Sequence, residues 1–142
     1  MLNETQVHRQ ILIDLLSHYL EPMTGNYQRL AYLAGLCDSS SGRYAHDRLA
    51  AVYGPEPVNA ALTKCHEELF ERLLELPLAQ QEEELRAFLG TLPGESESNL
   101  NWLRADAPRW IPAQAPGYLK ELFCSNLAAL HQLLREKPPK AR

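Results

Sequence analysis

PEPVNAALTKCHEELFERLLELPLAQQEEELRAFLGTL, residues 55–92, decides how the rest of the chain is read. Its apolar side chains return every three or four positions and never alternate, which is the period of a helix and not of a strand. Val58, Ala61, Leu62, Cys65, Leu69, Leu73 and Leu76 fall on one side of a helical spiral, opposite Lys64, Glu67, Glu71 and Glu75. Leu76-Pro77 interrupts that stripe, because the residue before a proline is held out of the helical region. Leu78, Leu85, Phe88, Leu89 and Leu92 then give a second one. Two consecutive amphipathic helices result, each with a face that must be covered by something else.

The flanking sequence supplies the cover. Toward the N-terminus, Asn3 and Gln6 form a capping box ahead of a helix over about residues 4–20, whose face is Val7, Ile11, Leu12, Leu15, Leu16, Tyr19 and Leu20. Glu21-Pro22 and Gly25-Asn26 break it. A second helix carries Tyr27, Leu30, Ala31, Ala34 and Cys37, with Gly35 small enough for another backbone to approach, and Asp38-Ser39-Ser40-Ser41-Gly42 ends it. Arg43 to Tyr53 is a shorter third helix, closed by Gly54-Pro55-Glu56-Pro57, which also starts the fourth. Within the fifth, Glu82 pairs with Arg86 one turn on, and the run Glu82-Glu83-Glu84 fans out around the axis as a solvated face.

Beyond the turn at Leu92-Pro93-Gly94, Ser96 or Ser98 caps a short sixth helix holding Leu100, Trp102 and Leu103. Prolines at 108, 112 and 116 then impose an extended connection in which Trp110 and Ile111 sit. Two large apolar groups in such a loop either fasten it across the bundle or, if exposed, mark a partner-binding patch. Pro116 suits the start of the last helix, where Leu119, Leu122, Phe123, Leu127, Leu130, Leu133 and Leu134 make a dense stripe. Asn126 interrupts that stripe, and a buried amide there requires a partner on a neighbouring helix. The expected fold is therefore all-α, a compact single-domain bundle of five to seven helices over residues 1–136, with residues 137–142 a flexible C-terminal tail.

Composition limits function without naming it. With 142 residues, 45% hydrophobic and 23% charged, the chain is sized for one core of ordinary make-up. Its net charge of -4 disfavours general binding to nucleic acid or to anionic membranes. The opening residues have no basic leader and no later run has the length of a membrane span, so a cytoplasmic protein without a membrane role is expected. Cys37, Cys65 and Cys124 are odd in number and widely spaced, which suits reduced thiols better than a disulfide framework or a metal knuckle.

The histidines are the side chains from which a catalytic or metal centre could be assembled. His46 on the third helix and His66-Glu67 on the fourth would converge if the bundle brought those faces together, giving two imidazoles and a carboxylate for a divalent metal with an open position for water. Asp14 and His18, one turn apart on the first helix, would extend the set. No HxxxH or HExxH spacing, phosphate-cradling glycine loop or GxSxG turn accompanies them, so no cofactor is expected and no catalytic residue is assigned. Residues 29–53, with Arg43, His46 and Arg48 after a serine-rich turn, have a faint helix-turn-helix outline that would make them a DNA reader. The simplest expectation is a helical protein-interaction or accessory module, hetero- or homo-oligomeric, with Trp102, Trp110 and Ile111 as its first candidate anchors. A metal- or ligand-binding bundle built on His46 and His66 is the alternative.

Overall fold

The computed structural model describes residues 3–23, 25–37 and 44–138. Among these, the chain is helical throughout: α1 (Glu4–Leu15) running into a π-helical turn (Leu16–Leu20), α2 (Gly25–Cys37), α3 (Tyr44–Tyr53), α4 (Pro55–Glu75), α5 (Leu78–Gly90), α6 (Ser96–Asp106), a 3-10 turn (Ala107–Trp110) and α7 (Gly117–Glu136). No strand occurs among the described residues. The all-α bundle follows the sequence pattern closely, while the expected turn over 38–42, Arg43 and most of the tail (139–142) lie outside the described residues.

The ends of the helices are fixed by local chemistry. The capping box is present in both directions: the Gln6 amide donates to Asn3 Oδ1 at 2.8 Å, and the Asn3 amide donates to Gln6 Oε1 at 2.9 Å. Glu84 on α5 caps a different helix, accepting from the backbone and side-chain nitrogens of Asn26 at the start of α2, where a negative charge faces the positive end of the helix dipole. Arg86 does the converse at the end of α7. It bonds Glu82 at 2.8 Å and donates to the Leu133 carbonyl at 3.2 Å and to the Lys137 carbonyl. The three glutamates 82–84 thus point to three different surroundings, with Glu83 alone fully outward.

Two clusters of buried side chains share α2 and α4. One gathers Ile11, Leu15 and Leu20 with Leu33, Leu36, Ala45, Leu49, Val58, Ala61 and Leu62. The other gathers Tyr27, Leu30 and Ala34 with Phe70, Leu73, Leu74 and the inner faces of α5, α6 and α7. The start of α2 therefore packs on the end of α4, so the two run antiparallel. By contrast, α5 and α7 run in the same direction, since Gln81 faces Asn126 and Arg86 reaches the carbonyls of Leu133 and Lys137.

Several sequence expectations are corrected in detail. The buried face of α4 is rotated from the expected stripe: His66, Phe70 and Leu74 are buried, whereas Cys65, Leu69 and Leu76 are half-buried. Helices α1, α2, α3 and α7 all pack on α4, so its covered arc is wider than one stripe. Gly35 admits no close neighbour, because a methyl group there would meet nothing within 4 Å. Neither Ser96 nor Ser98 caps α6; the N-cap is Glu95, whose side chain makes no capping bond. The connection after α6 starts as a 3-10 turn before becoming extended, with Pro108 in its first turn, where its missing N–H leaves no bond unmade.

Candidate functional site

The first helix does not end as an α-helix, and that change shapes a concave surface beside it. The Glu21 amide bonds back to the Leu16 carbonyl at 2.7 Å, a five-residue step that inserts one extra residue into the turn. The buried stripe of α1 consequently advances from Ile11 to Leu15 to Leu20, skipping Tyr19. Leu16, expected inside, is turned out with 51% of its surface exposed, and Ile13 beside it is 47% exposed. Arg29 on α2 holds the turn in place by donating to the carbonyls of Leu20 at 3.0 Å and Met23 at 3.2 Å.

Between this turn, α2 and α4 lies a groove of about 420 Å³. Leu12, Leu16, Leu20, Cys65 and Leu69 supply its apolar lining, and Glu21, Asn26, Arg29, Glu68 and Arg72 its polar lining. Glu68 and Arg72 pair at 3.8 Å, one turn apart on α4. Burial pushes the Cys65 thiol up to about 11, with the Glu68 carboxylate adding to the shift and Arg72 opposing it. A thiol so placed is protonated at neutral pH and serves as apolar lining, not as a nucleophile. Farther along the same α1–α4 seam opens a second hollow of about 710 Å³, bounded by Glu4, His8, Tyr53, Glu56 and Lys64. The seam places the start of α1 beside the start of α4, so these two helices run parallel.

The histidines expected to hold a metal have separate partners. His46 is buried on α3, its Nε2 2.6 Å from Asn59 Oδ1 and its Nδ1 3.4 Å from Asp47 Oδ1. His66 is buried on α4 and donates from Nε2 to the Trp110 carbonyl at 2.8 Å. Asn59, the partner of His46, lies two turns from His66, roughly 10 Å along the helix axis. Glu67 is half-buried on a different side of α4 from His66. Among the described residues no three His, Cys, Asp or Glu side chains converge as a metal site. Asp14 and His18 also have separate contacts: His18 stands edge-on to Tyr19, while Asp14 accepts from Tyr53 and from Gln10 Nε2 at 3.2 Å.

The structure separates the three anchors that the sequence grouped together, because Trp110 and Ile111 are drawn into the bundle. Trp110 is 2% exposed, donates from its indole nitrogen to Asp106 at 2.9 Å, and lies 5.9 Å from Phe88 and 6.4 Å from Tyr27, ring centre to ring centre. Ile111 is half-buried against the same cluster. Both fasten the proline-rich connection across the bundle, and His66 completes the fastening from α4. Trp102, 39% exposed, covers Phe88 and Trp110 from outside. Of the three candidate anchors it is the one with substantial open surface.

For residues 29–53, the described parts put α2 and α3 each chiefly against α4. Ala45, His46 and Leu49 face inward, Asp47, Arg48 and Val52 outward, and Arg29 is occupied with backbone carbonyls. No helix of the described residues is long and apolar enough to cross a membrane. Comparison with protein-family models, curated proteins and solved structures found no match for this chain.

Sequence reasoning missed the groove because no local pattern marks a π-helical turn. It also missed Gln81, which is buried at 1% exposure and joins three elements: it accepts from Tyr27 Oη at 3.4 Å and Asn126 Nδ2 at 3.5 Å, and donates to the Leu76 carbonyl at 2.9 Å. A signal existed. Gln81 falls three residues after Leu78 and four before Leu85, squarely on the apolar stripe of α5.

Proposed function

We propose that this chain is a protein-interaction module that receives an amphipathic helical segment in the groove between the π-helical turn, α2 and α4. The observation that carries the reading is Leu16: a large aliphatic side chain half in water, above an apolar floor and beside ionic groups. Exposing leucine in this way forfeits the gain its burial would bring, about 25 cal/mol for every Å² left wet, and a partner recovers that gain. A concave apolar floor with a charged rim matches the way helices are recognised, through anchors at positions i, i+3 or i+4 and i+7. Nothing in this reading requires chemistry of the chain itself, in keeping with a thiol held protonated and histidines engaged with Asn59 and Trp110.

Selection of displayed helical peptides against the wild-type chain, with counter-selection on Leu16→Glu, tests it. Enriched helices with apolar anchors at helical spacing are expected, bound at least tenfold more weakly by Leu16→Glu. The reading fails if no helix is enriched, or if the enriched ones bind both proteins alike.

A further inference from the structure

We draw no further inference here: the strongest candidate, the exposed apolar ridge of Ile13 and Leu16 beside the groove between the π-helical turn, α2 and α4, belongs to the site already described, and nothing in the structure shows what covers it.

Discussion

An imidazole buried among leucines and phenylalanines must keep its proton inventory fixed, and His66 does so by donating from Nε2 to the Trp110 carbonyl. Burial holds its pKa below the ordinary 6.5, outweighing the opposing pull of that hydrogen bond and of Glu67. The unfolded chain takes up a proton near pH 6.5 while folded His66 resists it, so this group's contribution is complete above pH 6.5 and is lost as pH falls toward its folded value. Urea midpoints should decline from pH 7 to pH 5, and His66→Gln, which retains an N–H for Trp110 but cannot titrate, should flatten part of that decline. An identical slope in the variant would assign the acid sensitivity elsewhere. At this scale much was legible: Asn126 was expected to need a partner on another helix, and it has Gln81. The identity of that partner was not legible from Asn126, because a glutamine on a surface helix and one in a core are the same letter until a neighbouring helix covers it.

Between residues and the bundle stand the junctions of helices, where backbone geometry decides the outcome. Gly54 joins α3 to α4 at φ 91° and ψ 152°, a region that residues with a Cβ avoid. Space is not the issue, since an added methyl group would sit 3.7 Å from Pro57 Cδ, an ordinary contact. Gly54→Ala should therefore cost about 1–3 kcal/mol through the backbone alone. Gly35 gives the opposite sign. It lies inside α2 with open space around it, and Gly35→Ala should stabilise by about 0.5–1 kcal/mol, because alanine loses less freedom on entering a helix. Urea denaturation of the two variants checks the contrast, which a cost at both sites or a gain at both would defeat. The proline and glycine punctuation placed these junctions correctly from sequence. The π-helical turn escaped because Leu15, Leu16, Tyr19 and Leu20 fit an ordinary helical face equally well; the choice of Leu20 over Tyr19 goes with the Arg29 clamp and the packing of α2, which local sequence does not record.

Over the whole molecule, two apolar clusters divide the interior, and α2 and α4 pass through both. Leu69, half-buried, packs against each. A shared pair of helices couples the clusters, because opening one strips the inner face from half of α4 and leaves the other half without its antiparallel neighbour. Both tryptophans lie on the side of the second cluster, Trp110 within it and Trp102 over it, so their fluorescence reports that half alone. Ile11 is fully buried in the other half. Ile11→Ala should cost about 2–5 kcal/mol. If the bundle unfolds as one unit, tryptophan fluorescence and helical circular dichroism will move together to the same lower urea midpoint in this variant, although neither tryptophan touches the altered cluster. A fluorescence transition left at the wild-type midpoint while circular dichroism shifts would instead divide the chain into two independently folding halves, with α4 no longer binding them.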